Sequence, residues 1–221
     1  MTITERVMRN LGVIPKKNES APALDYFFGL DLGQSKDYTA LAILERHGEG
    51  DEAIFHARHL QRYQLGTSYP SIVTDVGKML GRDPLRGHNR TLAIDGTGVG
   101  AAVVDMFLSA DLRANLCSII ITGGDTVTND GLVYRVPKRD LVGIVQVCLQ
   151  TSRLKIAAAL AEASTLTNEL QNFQVKITDA AHDVYGAWRE GAHDDLVLAV
   201  ALALWRGSQP ERKPVFSVGP F

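Results

Sequence analysis

The sequence Tyr26-Phe27-Phe28-Gly29-Leu30-Asp31-Leu32-Gly33-Gln34-Ser35-Lys36-Asp37 carries the clearest structural signal in the chain. Its first five residues form an apolar run with one glycine, which is typical of a strand buried on both faces of a sheet. Asp31 ends that run. A buried carboxylate without a partner costs several kcal/mol, so a hydrogen-bond donor, a basic residue or a cation must compensate it. We expect a metal ion in this role, shared with acidic residues far away in the sequence.

The residues after this strand predict a mixed α/β sheet with helices on both of its faces. Strands over 39–46 and 53–63 would join the first strand in an antiparallel meander. A strand over 90–95, a helix over 99–108 and a strand over 116–121 follow, and this order implies parallel pairing. We expect residues 126–136 to be polar and irregular. The other predicted elements are helices over 68–80, 138–150, 159–171 and 194–205, a short strand over 154–156, and a hairpin of 173–178 with 184–189.

Length and composition indicate one large domain over 25–206, with an arm or linker over 1–24 and a tail over 207–221. Cys117 and Cys148 lie in apolar segments and are expected in the core, which favours a reducing cytoplasm. The longest apolar run has ten residues, fewer than the roughly 20 that span a bilayer, and no N-terminal segment resembles a signal peptide. We therefore expect a cytoplasmic protein without a membrane partner.

Acidic residues stand at the ends of three predicted elements. Asp31 ends the first strand, Asp95 ends the fourth, and Asp194 with Asp195 begins the last helix. If the first and fourth strands are neighbours, their backbones lie about 4.8 Å apart, and carboxylates at matching heights can share one cation. Hard oxygen ligands suit Mg²⁺ or Mn²⁺ rather than zinc. Two such ions about 3.5–4 Å apart can activate a water and stabilise the leaving oxygen of a phosphodiester.

Each of these residues also has a purely structural interpretation. The structural roles are turn caps for Asp31 and Asp37, an ordinary turn for Asp95, and a helix cap for Asp194 or Asp195. His193 is expected beside that cap or at the surface rather than as a ligand. The combination favours the metal site, because all three acidic positions fall at element ends beside small residues. Without a cation the carboxylates would repel one another, and at least one would have a raised pKa.

Three segments together resemble the nuclease domain of the large terminases of tailed phages. They are 29–40 (Gly-Leu-Asp-Leu-Gly-Gln-Ser-Lys-Asp-Tyr-Thr-Ala), 94–100 (Ile-Asp-Gly-Thr-Gly-Val-Gly) and 191–199 (Gly-Ala-His-Asp-Asp-Leu-Val-Leu-Ala). Two more, 136–142 (Val-Pro-Lys-Arg-Asp-Leu-Val) and 152–156 (Ser-Arg-Leu-Lys-Ile), are similar to the part of that family between its second and third acidic sites. The resemblance runs from about Tyr26 to Trp205 in matching order.

The resemblance implies a ribonuclease H-like fold and cleavage of double-stranded DNA during genome packaging, with two Mg²⁺ or Mn²⁺ ions. By motif position it implies Asp31, Asp95 and Asp195 as catalytic metal ligands, Asp194 as the alternative to Asp195, and Asp37 as a further acidic position. The implied partners are a packaging ATPase domain or subunit and other phage packaging proteins, in the host cytoplasm. No Gly-x-x-x-x-Gly-Lys-Ser/Thr phosphate loop occurs in this sequence. We therefore expect an excised domain, a split subunit or a stand-alone relative.

Basic residues are less informative than acidic ones. Lys138 and Arg139 begin a predicted helix near the expected site, where they would either hold DNA phosphates or form a solvated helix end. The formal net charge of −2 does not by itself indicate a nucleic acid partner. We expect most of the following arginines at the surface: Arg58, Arg62, Arg82, Arg86 and Arg90.

Two other functions stay open at the level of sequence. A phosphotransferase of the actin and sugar-kinase type also places Asp-x-Gly turns near phosphates, as 31–33 and 95–98 could do. That architecture resembles two such domains around a nucleotide, and 221 residues barely provide one. A catalytically silent DNA-binding or assembly module would have no reason to keep mutually repelling carboxylates together. The metal-dependent endonuclease is the favoured function.

Overall fold

The computed structural model describes residues 24–33, 37–98, 100–177, 183–187 and 193–210, with only the backbone described for 174–177 and 183–187. Residues 1–23 of the predicted arm and 211–221 of the predicted tail lie outside these residues, so the domain boundaries remain predictions. The described strands are β1 (Asp25–Asp31), β2 (Ala40–His47), β3 (Ile54–Arg62), β4 (Asn89–Asp95), β5 (Asn115–Thr122), β6 (Thr128–Asp130), β7 (Val133–Pro137), β8 (Leu154–Ile156), β9 (Phe173–Ile177) and β10 (Asp183–Ala187). The described α-helices are α1 (Tyr69–Leu80), α2 (Gly100–Ser109), α3 (Lys138–Gln150), α4 (Ala163–Asn172) and α5 (Asp195–Ser208), and a short 3₁₀ helix covers Gly50–Glu52.

An eight-stranded sheet with the order β6-β7-β5-β4-β1-β2-β3-β8 forms the centre of the molecule. β1, β2 and β3 pair antiparallel, as predicted, while β4 pairs parallel with β1 and β5 pairs parallel with β4. The predicted hairpin is also present, because β9 and β10 form a separate antiparallel pair. The mixed sheet predicted from the strand and helix order is therefore confirmed.

The side chains of the apolar run in β1 lie alternately on the two faces of this sheet, and both faces are buried. Phe28 and Leu30 are fully buried on the face covered by α1 and α2. Phe27 lies in the core on the other face, with α3, α4 and α5. Burying each such side chain contributes about 1.5–3 kcal/mol, so helices on both faces follow from the continuous apolar pattern of the strand.

Helix α5 lies so close to β1 that small residues are required at the contact. A Cβ added to Gly29 would lie 2.8 Å from the backbone nitrogen of Ala203. A Cβ added to Gly207 would lie 2.6 Å from Phe55 and 3.0 Å from Phe27. The first residue of α5 lies at the same edge of the sheet as the last residue of β1, because the helix runs back along the strand.

Two predictions about individual elements were wrong. Residues 126–136 are not irregular: β6 and β7 form a hairpin there, and β7 pairs parallel with β5. The sequence lacks the alternation of apolar and polar residues that indicates a strand, because β6 is exposed along its whole length. Helix α4 begins at Ala163 rather than at 159, since the amides of Leu160 and Ala163 bond to carbonyls three residues earlier and form turns.

The remaining expectations about the core hold. Cys117 and Cys148 are both buried and unpaired. No helix in the described part of the chain is both long and apolar enough to cross a membrane.

Candidate metal centre

Asp31 and Asp95 lie side by side at the C-terminal ends of the two central strands β1 and β4. β1 and β4 are parallel neighbours in which Leu30 pairs with Ile94, so the next residue of each strand stands at a matching height. Asp31 is only 7% exposed, and the two carboxyl groups interact, since the charge of Asp95 raises the pKa of Asp31 after the effect of burial. The predicted adjacency of the first and fourth strands therefore brings two buried carboxylates together.

The surroundings of Asp31 disfavour its negative charge. Burial raises the pKa of Asp31 well above its usual range, and the charges of Asp95, Asp195 and Asp194 raise it further. Lys138 is the cation that opposes this effect. The alternative role of Asp31 was to cap a turn by accepting from a nearby amide. The amide of Gly33 does not serve that role, because it donates to Thr39 Oγ1 at 3.1 Å. Asp31 therefore occupies a position at which a cation would be stabilising.

Asp95 combines a structural role with its position at the site. Its Oδ1 accepts a hydrogen bond of 2.8 Å from the amide of Thr97, which is the turn interaction that the sequence also allowed. Burial raises the pKa of Asp95, while the bonds from Thr97 and the contact with Asp31 lower it. One oxygen is thus engaged by the turn.

The start of α5 brings Asp194 and Asp195 to the same edge. Asp195 is 5% exposed, and its Oδ2 lies 3.1 Å from Arg62 Nη2. Burial raises its pKa, whereas Arg62 and then His193 lower it. Asp194 Oδ2 lies 3.6 Å from Lys138 Nζ. Both aspartates of the helix therefore already face a basic side chain.

Arg62 is held by aromatic contacts on one side and by acids on the other. Its guanidinium carbon lies 3.9 Å from the centre of the Tyr38 ring, a cation–π contact. The Tyr38 ring meets that of His193 edge-on at 5.1 Å. His193 Nδ1 lies 3.7 Å from Asp195 Oδ2, which is consistent with the expectation that His193 is a neighbour of the acidic pair. Arg62, one of five arginines of which most were expected at the surface, has a side chain that is 17% exposed.

Glu169 on α4 replaces the helix cap expected from Asp194 or Asp195. Asp194 occupies the N-cap position of α5 but makes no side-chain cap hydrogen bond. Instead, Glu169 Oε2 accepts from the amides of Leu196 at 2.9 Å and Val197 at 3.1 Å. Burial raises the pKa of Glu169 to about 7, partly offset by these bonds and by Arg62.

The other residues selected from sequence lie at different distances from this centre. Lys138 joins it through Asp194, whereas Arg139 points to Asp125, with Nη1 at 2.6 Å from Oδ1 and Nη2 at 2.8 Å from the backbone carbonyl. Asp37 is exposed, and no described contact links it to the other carboxylates. The structure thus places Lys138 beside Asp194 and Arg139 beside Asp125, while the place of Asp37 in the site stays a prediction.

The donor chemistry fits a hard divalent cation. Carboxylate oxygens are the preferred ligands of Mg²⁺ and Mn²⁺, and the burial of Asp31 and Asp95 favours a cation between them. Among the described residues, no three His, Cys, Asp or Glu side chains already converge on one point in the manner of a metal site. The two α5 aspartates instead contact basic side chains, Asp194 with Lys138 at 3.6 Å and Asp195 with Arg62 at 3.1 Å.

Solved structures share this arrangement of strands and helices. The large terminase nuclease from the thermophilic phage G20c matches with a TM-score of 0.59 at 22% identity, over 83% of this chain and 82% of that one. The human cytomegalovirus terminase nuclease domain, Mn-soaked with a bound inhibitor, matches with a TM-score of 0.52 at 13% identity, over 92% and 93%. The chain has the fold of the large terminase nuclease domains. No family model and no curated protein matches the sequence.

The terminase nuclease fold explains why the sequence resemblance extended over most of the chain. The large terminase of bacteriophage HK97 matches with a TM-score of 0.54 at 14% identity, over 84% of this chain but only 40% of that one. The predicted ribonuclease H-like mixed sheet is confirmed by these likenesses. At such identities the comparisons establish the fold.

Within the terminase nuclease fold, sequence reasoning missed Arg62 and Glu169. Both are charged residues beside apolar ones: Arg62 ends the partly buried strand β3, and Glu169 lies three residues after Leu166 on the buried side of α4. A charge on the apolar stripe of a predicted helix is a usable signal, since such residues are rarely buried without a partner. Their partners, however, lie 133 and 27 residues away from them in the chain.

Proposed function

We propose that this chain is an endonuclease that depends on Mg²⁺ or Mn²⁺ and cleaves double-stranded DNA. The observation that carries the proposal is the meeting of Asp31 and Asp95 with the start of α5, which raises the pKa of Asp31 through burial and mutual repulsion. The fold supports it, because the G20c nuclease has been solved with bound magnesium and the SPP1 nuclease domain with bound Mn. The TM-scores of these two structures are 0.59 and 0.50.

The proposed ligands are Asp31, Asp95 and Asp195, with Asp194 as the alternative to Asp195. Two bound divalent ions would supply an activated water and charge stabilisation for the leaving oxygen. The protein's own contribution is a set of carboxylates at the ends of β1 and β4 and at the start of α5, where Asp194 and Asp195 would exchange Lys138 and Arg62 for the ions. Asp37, exposed after the first motif, is proposed only as a peripheral acidic group.

Lys138 is the proposed phosphate-binding residue of this centre. Its ammonium group faces Asp194 at 3.6 Å and lowers the pKa of both Asp31 and Asp95. A cation that displaces it from the carboxylates would free it to hold a DNA phosphate oxygen. Arg139 would act farther from the cut, since its guanidinium is paired with Asp125.

The biological setting that we propose is the cutting of concatemeric phage DNA during genome packaging. The fold supports this setting, because the HK97 large terminase contains a similar domain within a longer chain. Energy for packaging would come from a separate ATPase domain or subunit, with other packaging proteins as partners in the host cytoplasm. The sequence itself offers no phosphate loop for that task.

Cleavage of supercoiled plasmid tests the proposal. We expect nicking and linearisation with Mn²⁺ or Mg²⁺, and none with EDTA. Asp31→Asn and Asp95→Asn should each lower the rate at least about 100-fold, because both remove a charged ligand without changing side-chain size. Asp105→Asn, an exposed aspartate of α2, is the matched control and should cut normally. Full activity in folded Asp31→Asn would reject the site.

A further inference from the structure

At the start of α5, the first helix amides and the proposed metal ions compete for the same carboxylates. These amides have no partners within the helix and attract carboxylates, while the proposed metal ions attract the same carboxylates. Asp194 and Asp195 lie at this helix start, where their carboxylates could accept from the amides or bind an ion. In this structure Asp194 makes no cap bond, and Asp195 turns to Arg62 at 3.1 Å. The aspartates are thus left free of the helix amides.

A buried carboxylate on α4, that of Glu169, accepts hydrogen bonds from the amides at the start of α5. Glu169, 7% exposed, accepts from the amides of Leu196 and Val197 through Oε2. Burying a carboxylate is costly, and a capping role alone would be served more cheaply by the local Asp194. The choice of a distant, buried cap therefore points to another use for the local aspartates.

Arg62 connects this cap to the carboxylate cluster. One guanidinium nitrogen lies 3.9 Å from Glu169 Oε1, and the other lies 3.1 Å from Asp195 Oδ2. Glu169 Oε1 is buried and has no hydrogen-bond partner among the described residues. A small movement of Arg62 away from Asp195 would bring it within hydrogen-bond distance of that free oxygen. Glu169 is therefore placed to form an ion pair with Arg62 when Asp195 binds a cation instead of Arg62.

We propose that Glu169 is a positioning residue of the metal centre: it caps α5 in place of Asp194 and Asp195, and so keeps both aspartates available to a divalent cation. The inference rests on the proposed function, because it assigns the freed aspartates to the ions. Without Glu169, the Leu196 and Val197 amides would be left to Asp194, because a residue at the N-cap position ordinarily accepts from the second and third helical amides. Its diversion to the helix would remove a carboxylate from the cation.

Substitution at Glu169 in the full chain separates capping from mere stability. In Glu169→Ala we expect Mn²⁺ affinity, measured by the EPR signal of free Mn²⁺, to fall about tenfold. Amide hydrogen exchange should show lost protection at Leu196 and Val197. Glu169→Gln keeps an oxygen acceptor of the same reach, so affinity should return to within about threefold of the unaltered chain. Glu162→Ala, at the start of α4 and without a cap bond, is the matched control and should change neither measurement.

The outcomes distinguish this inference from the proposed function. If Glu169→Ala lowers the melting temperature while Mn²⁺ affinity stays within twofold, Glu169 is only structural and the inference is overturned. If Glu169→Ala does not fold, Glu169→Gln decides: retained affinity supports the cap, and a tenfold loss overturns it. Loss of Mn²⁺ binding in Asp31→Asn with unchanged binding in Glu169→Ala would leave the proposed function standing. Mn²⁺ binding that is unaffected by Asp31→Asn would remove both.

Discussion

Asp31 brings a negative charge into a position that is 7% exposed and has three other aspartates within electrostatic range. Its folded pKa lies well above the ordinary value of about 4. Because the folded state holds the proton more tightly, the penalty is absent below that ordinary value and grows as pH rises towards the folded pKa. At neutral pH and without a cation, this single residue therefore destabilises the fold that it serves.

We predict that Asp31→Asn is more stable than the unaltered chain when metal is removed. At pH 8 in EDTA the melting temperature should rise by about 2–6 °C, since loss of the buried charge is worth about 1–2 kcal/mol and the chain is of medium size. The difference should shrink as pH falls towards 4 and disappear below it, where the aspartate becomes protonated in the unfolded state as well as in the folded state. Millimolar Mn²⁺ should raise the melting temperature of the unaltered chain and leave the variant unchanged. A variant that melts lower at every pH would contradict this reasoning.

Among the elements, helix α5 and strand β1 carry the geometry of the centre. The helix runs back along the strand, so a shift of its axis would move Asp195 relative to Asp31. Their separation is set where Gly29 meets the backbone of Ala203, at 2.8 Å from an added Cβ. The close approach of two backbones thus fixes two carboxylates from distant parts of the chain.

Gly29→Ala should therefore damage both stability and cleavage. The added methyl would meet backbone atoms of α5, which cannot rotate away, so we expect a loss of about 1–3 kcal/mol in the free energy of unfolding. Displacement of α5 should also lower DNA cleavage at least about tenfold at a temperature where the variant is folded. Gly143→Ala in α3, where an added Cβ meets nothing within 4 Å, should instead stabilise the protein by up to about 1 kcal/mol. Urea unfolding and plasmid nicking measure the two effects, and equal behaviour of the two variants would count against this account.

Most elements were predictable because their apolar periods are undisturbed. The bounds of β1, β4 and α3 were found to within one residue, since a buried strand and a proline before a helix are local signals. The β6–β7 hairpin was missed because its edge strand is exposed and polar. The roles of Arg62 and Glu169 were missed because the local pattern can show that a charged residue is buried, but it does not show which distant residue is its partner.

At the level of the whole molecule, the described residues form one central sheet with a separate two-stranded hairpin. The carboxyl edge of that sheet gathers residues from β1, β4 and α5, three elements spread over most of the chain. This convergence argues for a catalytic centre over a silent assembly module, because burial and then repulsion from the other aspartates raise the pKa of Asp31, and the described residues show no structural benefit in return. The fold of terminase nucleases accounts for the arrangement.

The same architecture separates the nuclease from the phosphotransferase alternative. Enzymes of the actin and sugar-kinase type hold a nucleotide between two domains, and the described residues supply one central sheet. We therefore predict that millimolar ATP with Mg²⁺ shifts the melting temperature by no more than about 1 °C beyond Mg²⁺ alone, whereas a ligand at 100 times its Kd would stabilise by about 2.7 kcal/mol. Plasmid cleavage should proceed at the same rate with and without ATP. Saturable ATP binding in a protein that cuts no DNA under any metal condition would reverse the assignment, because a nucleotide would then be the ligand that the repelling carboxylates serve.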